Sequence, residues 1–185
     1  MMDRYYEMEI AGYKRQLPIC KVDDELSIAA FVMFSDVELT IACASELLKL
    51  APEFDVIVTA EAKGIPLAYE MARQSGKNYY ICRKASKLYM KDPISVEVKS
   101  ITTEKKQVLY LDSHEAELMK GKRILIVDDV ISTGGSLRSI ETIINHIDGN
   151  IVGKLAVLAE GVAADRDDIK FLGVLPTFNT ADYFN

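Results

Sequence analysis

Ile124-Leu-Ile-Val-Asp-Asp-Val-Ile-Ser-Thr-Gly-Gly-Ser136 is the stretch on which the fold turns. Its first half, with Arg123 ahead of it, reads as a strand up to Asp128 that is buried on both faces, because Ile124, Leu125, Ile126 and Val127 run on without polar alternation. The strand ends in two carboxylates, Asp128 and Asp129, and passes through a loop of small hydroxyl and glycine residues into a helix. That helix carries Leu137, Ile140, Ile143, Ile144 and Ile147 on one face. Working back along the chain, Val56-Ile-Val-Thr-Ala60 is a second short strand, Lys63-Gly64 a turn, residues 66–75 a helix opened by Pro66, and residues 79–82 a third strand. Ahead of these, Ile41, Ala44, Leu47, Leu48 and Ala51 recur at helical spacing after the cap Ser35-Asp36, which predicts an amphipathic helix over residues 37–51. Helix, strand, helix, strand in alternation implies a parallel sheet with crossover helices, and residues 152–159 and 171–174 supply further strands.

Two segments depart from this rhythm. Residues 5–34 alternate loosely between apolar and polar, punctuated by Gly12 and Asp23-Asp24, and predict short antiparallel strands. Residues 86–107 are polar and lysine-rich, with Val96, Val98 and Ile101 alternating against Glu97, Lys99 and Thr102 as a weakly amphipathic ribbon; they read as a solvent-exposed or mobile excursion. No repeat and no linker divides the chain, so residues 1–185 are expected to form a single domain.

Composition narrows the function classes. The 185 residues include 22 Lys+Arg against 28 Asp+Glu, a net charge of −6, and 49% are hydrophobic. Such a balance argues for a soluble globular protein and against a nucleic-acid backbone as the main partner. No apolar run approaches the roughly 20 residues needed to span a bilayer, and the N-terminus lacks a signal-peptide core, so no membrane partner and a cytoplasmic location are expected. The three cysteines, Cys20, Cys43 and Cys82, have neither disulfide nor zinc spacing and read as buried thiols. With only His114 and His146 available, catalysis must rest on carboxylates, lysines, hydroxyls or backbone amides.

In a doubly wound sheet the ligand crevice lies at the carboxyl ends of the strands, where the acidic pair falls. Ser132, Thr133, Gly134, Gly135 and Ser136 offer glycine amides that a phosphate can approach, hydroxyl donors, and the positive end of the following helix. Asp128 and Asp129 cannot face the same phosphate without repulsion; they suit vicinal hydroxyls or a cation. Phosphate and diol side by side describe a ribose 5-phosphate. The run lacks the Lys-Ser/Thr of the nucleoside-triphosphate loop and the third Gly of the dinucleotide fingerprint, which disfavours an ATPase or a dinucleotide oxidoreductase.

Residues 124–136 resemble the ribose-phosphate motif of the type I phosphoribosyltransferases, whose donor is 5-phosphoribosyl-1-pyrophosphate (PRPP), and Asp-Asp followed by Thr-Gly-Gly-Ser most resembles the adenine enzymes. Two more segments are similar to that family. Thr59-Ala-Glu-Ala-Lys-Gly64 matches its pyrophosphate loop, with Lys63 in place of arginine, and Arg83-Lys84-Ala-Ser-Lys87-Leu matches its Arg-Lys-x-x-Lys-Leu. The resemblance covers residues 56–91 and 121–159. It implies a type I α/β fold: a central parallel sheet flanked by helices, a flexible loop, and a small hood built from residues 1–35 and 160–185. In the family the pyrophosphate loop often carries a cis peptide that is not before proline.

The resemblance implies purine salvage: transfer of the phosphoribosyl group from PRPP to a purine base, adenine first and xanthine next, giving a nucleoside monophosphate and pyrophosphate. Asp128 and Asp129 would hold the ribose hydroxyls and residues 132–136 the 5-phosphate. Glu61, Ala62, Lys63, Gly64, Arg83, Lys84 and Lys87 would surround pyrophosphate. Mg²⁺ would come mainly through PRPP, with Asp128 and Asp129 as the chain's own candidate ligands, and a homodimer is implied as in most relatives. The chain departs from the adenine pattern in two places. Where adenine enzymes have Glu-Tyr-Gly in the closing loop this chain has Lys105-Lys106-Gln107, leaving nearby Glu104 either as the substitute proton acceptor or as a loop charge. Residues 5–34 also lack the adenine enzymes' entry motif. Two alternatives stay open: a PRPP-binding regulator without transferase activity, for which the chain lacks the length and charge of a DNA-binding domain, and a small RNA-binding attenuator, whose motif differs after Thr-Gly.

Overall fold

The computed structural model of the chain describes residues 4–99 and 106–184. Strands β1 (Tyr5–Ile10), β2 (Tyr13–Lys21) and β3 (Leu26–Ala29) open it, followed by helix α1 (Val37–Leu50), strand β4 (Val56–Ala60), helix α2 (Ile65–Ser75) and strand β5 (Asn78–Cys82). A ribbon of β6 (Ile94–Lys99) and β7 (Lys106–Leu111) comes next, then the short helix α3 (Ser113–Met119). Strand β8 (Arg123–Ile131), helix α4 (Gly135–His146), β9 (Asn150–Glu160), β10 (Lys170–Leu175), β11 (Thr177–Asn179) and the helical turn α5 (Ala181–Phe184) complete the order.

The central sheet has five parallel strands in the order β10-β9-β8-β4-β5. Period-two alternation sends their side chains into two separate cores. Ile57, Leu125 and Val127 pack with residues of α1 and α2 on one face, while Val58, Ile124 and Ile126 pack with residues of α3 and α4 on the other. Leu125, Ile57 and Leu67 are fully buried, and burial of each such side chain contributes about 1.5–3 kcal/mol. From β4 the chain winds outward to β5, whereas from β8 it winds the opposite way to β9 and β10. The neighbours β4 and β8 therefore form the switch point of the sheet, and their carboxyl ends open a crevice between diverging connections.

A second, antiparallel sheet has the order β1-β2-β3-β11 and joins the two ends of the chain. Its first hairpin turns through Ala11 and Gly12, both at positive φ, as a tight two-residue turn requires. Ser27 and Thr180 share a buried hydrogen bond of 2.9 Å between their hydroxyls, fixing the C-terminal segment against β3.

Several sequence expectations need correction. The strand through the acidic pair does not stop at Asp128; Val130 and Ile131, both β-branched, carry β8 on against β9 as far as the Ile131–Ala159 pairing. Within residues 86–107 the alternation expected of a weakly amphipathic ribbon is present as the β6–β7 pair, but the segment is not wholly exposed: Ile94 and Val96 pack on the same core as α4. Cys20 is exposed, because alternation along β2 turns Leu17 and Ile19 inward and Cys20 outward. Ile41 is also exposed, and the core face of α1 is formed by Leu39, Cys43, Ala44 and Leu47.

Candidate active site

The crevice at the switch point is built from three loops and one strand end. Asp128 and Asp129 are carried there by β8. Asp129 is buried, and its backbone N–H donates to Asp128 Oδ1 at 2.9 Å. The Lys63 ammonium, on the loop after β4, lies 2.9 Å from Asp129 Oδ2. It sits off the hydrogen-bonding direction, so that buried oxygen accepts no hydrogen bond. Burial first, and then the neighbouring Asp129 charge, push the Asp128 carboxyl well above its ordinary value of 3.8, with Lys63 opposing.

The loop after β4 is shaped by close approach. The Glu61–Ala62 peptide is cis. Gly64, the residue before α2, leaves no room for a side chain: a Cβ there would lie 2.3 Å from Thr59 Oγ1 and 2.9 Å from Asp128 Oδ1. The glycine brings residues 61–64 directly onto the acidic pair. Glu61 gathers the basic segment after β5. Its carboxylate accepts the Lys84 N–H at 3.0 Å and lies 3.7 Å from Arg83 Nη1 and 3.9 Å from Lys87 Nζ. Arg83 also exchanges backbone hydrogen bonds of 2.8 Å with Tyr110, tying β7 to the rim of the crevice.

The third loop, residues 132–134, leads into α4. Gly134 at φ +73° precedes the helix and, as its N-cap residue, supplies no side-chain cap. Ser132, Thr133, Gly134, Gly135 and Ser136 thus lie beside the acidic pair at the positive end of the helix.

Glu61, Ala62, Lys63, Gly64, Arg83, Lys84, Lys87, Asp128, Asp129 and residues 132–136 are brought together at one end of the sheet; Glu104 lies outside the described residues. Sequence reasoning missed three residues at this end. Glu160 ends β9 beside β8, with its carboxyl held above its ordinary value by burial, Lys63 opposing. Arg138 and Arg166 both reach Gly134, where a Cβ would lie 3.4 Å and 2.9 Å from their Nη1 atoms. Arg138 stands four residues after Gly134, a helical spacing that points it back to the loop and was visible in the sequence; the other two had no local pattern.

Residues 39–182 match the model of the phosphoribosyl transferase domain. The chain belongs to that family. It is similar to the adenine phosphoribosyltransferase of Thermotoga petrophila, 36% identical over 108 residues covering 58% of this chain and 60% of the relative. It is also similar to the hypoxanthine/guanine phosphoribosyltransferase of Methanosarcina acetivorans, 33% identical over 134 residues covering 72% and 66%. The chain thus spans about three fifths of the length of the first curated adenine relatives it matches. The crystal structure of adenine phosphoribosyltransferase from Thermoanaerobacter pseudethanolicus shares the fold with TM-score 0.64 at 20% identity, over 77% of this chain and 83% of that one. The expected type I phosphoribosyltransferase fold, with its parallel sheet and flanking helices, is therefore the fold of this chain.

The raised Asp128 carboxyl has a consequence for stability. A proton retained in the folded state and already released by the unfolded chain stabilises fully below about 3.8 and is lost as pH rises through the folded value. Between about pH 5 and pH 8 the wild-type melting temperature is expected to fall relative to that of Asp128→Asn, which has no such proton. Parallel melting profiles would contradict this.

Proposed function

We propose that the chain is a purine phosphoribosyltransferase that transfers the 5-phosphoribosyl group of PRPP to a purine base, adenine first. The observation that carries this reading is the meeting of Lys63, Asp128-Asp129 and the glycine-led start of α4 at one switch point. A cation, a diol acceptor and a phosphate cradle stand in the order in which pyrophosphate, ribose and 5-phosphate follow one another along PRPP. The purine names of the relatives support the acceptor class.

In the reaction a ring nitrogen of the base forms a bond to C1 of the ribose as the bond from C1 to pyrophosphate breaks. Pyrophosphate leaves with the electron pair, and the nitrogen's proton passes to a base, for which Glu104 is the candidate. Lys63 and the backbone of residues 61–64 stabilise the charge gathering on pyrophosphate, with Arg83, Lys84 and Lys87 around it. Asp128 and Asp129 accept hydrogen bonds from the ribose hydroxyls, and residues 132–136 hold the 5-phosphate, so that C1 and the base are fixed in a reactive geometry. The buried Asp129 Oδ2, which accepts no hydrogen bond, fits a divalent cation. Among the described residues no group of three or more His, Cys, Asp or Glu side chains gathers to hold a metal, so Mg²⁺ would be carried mainly by PRPP. When bound it supplies charge neutralisation on the departing pyrophosphate.

The proposal extends to architecture and setting. Residues 1–185 act as a single domain, with the β1-β2-β3-β11 sheet as the hood over the base. Val32, Phe34, Val37, Ile41 and Tyr69 leave an exposed apolar face on and around α1 and α2, which supports a homodimer testable by sedimentation. Three unpaired thiols suit the reducing cytoplasm. Incubation with PRPP, Mg²⁺ and adenine, hypoxanthine, guanine or xanthine tests the reading. The expected outcome is nucleotide formation fastest with adenine. PRPP binding with turnover of none of the bases would make the chain a PRPP-responsive regulator.

A further inference from the structure

Arg166 sits on the connection between β9 and β10, outside every segment that resembles the family motifs, yet its guanidinium reaches the loop before α4. Its Nε and Nη2 are engaged side-on by Asp168 at 2.8 and 2.7 Å, which leaves Nη1 as the edge turned toward Gly134. Asp168 also accepts Lys154 Nζ at 2.6 Å, and Lys154 in turn pairs with Glu141 of α4 at 2.5 Å. The ion-pair chain thus clamps Arg166 onto the helix whose start it faces. Arg138 comes to the same glycine from the helix itself, its Nη1 donating to Thr133 O at 3.0 Å.

Asp168 offsets part of the Arg166 charge, but its carboxylate meets Nε and Nη2 and leaves the Nη1 edge to the helix start. The first turn of a helix is the positive end of its dipole and favours acidic side chains, whereas here it has no acidic residue and two guanidiniums beside it. Cations gathered at a positive helix end make sense when an anion belongs between them. A guanidinium also suits a phosphate better than an ammonium does, because its fork meets two oxygens at once.

We propose that Arg166, held by Asp168 and assisted by Arg138, forms a side-chain wall of the 5-phosphate pocket and supplies charge-assisted hydrogen bonds to that phosphate beyond those of the loop amides. The proposal rests on the phosphoribosyltransferase reading and assigns Arg166 as a substrate-binding residue that selects a doubly charged terminal phosphate on the ribose.

Calorimetry on the purified full chain tests it with two probes, ribose 5-phosphate for this pocket and pyrophosphate for the opposite subsite. In Arg166→Gln the dissociation constant for ribose 5-phosphate is expected to rise about 10- to 100-fold, the loss typical of a hydrogen bond to a charged group, while that for pyrophosphate stays within about twofold. Arg166→Lys, which keeps the charge and loses the fork, is expected to fall between, and it carries the test if the Gln variant does not fold. The KM for PRPP should rise with little change in kcat. Unchanged ribose 5-phosphate affinity in a folded variant overturns the proposal, as does equal weakening of both probes, which would mark Arg166 as structural. A wild-type protein that binds neither probe would overturn the phosphoribosyltransferase reading itself, and that outcome is distinct from either of these.

Discussion

Replacing Asp128 and Asp129 together by asparagine is expected to lower kcat/KM with PRPP by about 10³-fold while leaving the melting temperature at or slightly above that of the wild type at neutral pH. The two effects have one cause. Both carboxylates stand in the crevice of the sheet, one of them buried with an oxygen that accepts no hydrogen bond, and burial first and then the Asp129 charge disfavour ionisation of Asp128, with Lys63 opposing only in part. Such a pair opposes the stability of the ligand-free fold. Asparagine fills the same space, removes the repulsion, and loses the anionic acceptors that a ribose diol or a cation needs. Steady-state kinetics and thermal melting on the same preparation check both halves. A variant that loses activity by unfolding would mean that the pair is structural, and one that keeps wild-type kcat/KM would mean that it lies outside the reaction.

Gly64→Ala is expected to have the second large effect. The new methyl group would stand 2.3 Å from Thr59 Oγ1 and 2.9 Å from Asp128 Oδ1, and neither neighbour can withdraw easily: Thr59 is fully buried within β4 and Asp128 is fixed by β8. The loop of residues 61–64 must move instead, taking Lys63 from its place beside Asp129. Overpacking of this kind costs about 1–3 kcal/mol of stability. A displacement of the loop by about 1 Å should lower kcat/KM by about 10²-fold. Removing Thr59 Oγ1 in the double variant Thr59→Ala/Gly64→Ala should recover part of the melting temperature, which identifies the contact responsible. A Gly64→Ala protein with wild-type kinetics would show that the close approach of this loop to the acidic pair does not matter for the reaction.

The parallel core was legible because a strand buried on both faces has no polar alternation, as in residues 124–127, and because β4 and α2 are set off by a glycine turn and by Pro66 at the helix start. The acidic pair, the hydroxyl-glycine loop and the basic segment were legible for the same local reason: each lies within a few residues of a strand end. What escaped the sequence depends on contacts between distant segments. The pairing of Thr177 with Ile28 closes the second sheet across nearly the whole chain, and no local pattern announces it. Glu160 reaches the site only because β9 lies beside β8, and Arg166 only because Asp168, Lys154 and Glu141 link its connection to α4. Cys20 and Ile41 were misjudged because an apolar neighbourhood in sequence does not decide which side of a strand or helix a residue occupies; the partner surface does.

The central claim, that the crevice between β4 and β8 transfers a phosphoribosyl group to a purine, is tested most directly by measuring both products in one mixture of the protein, Mg²⁺, PRPP and adenine. Adenosine monophosphate and pyrophosphate are predicted to rise together in equal amounts, and both should fall to background with the Asp128→Asn/Asp129→Asn variant. Pyrophosphate released without nucleotide, or PRPP bound with neither product formed from adenine, hypoxanthine, guanine or xanthine, would contradict it.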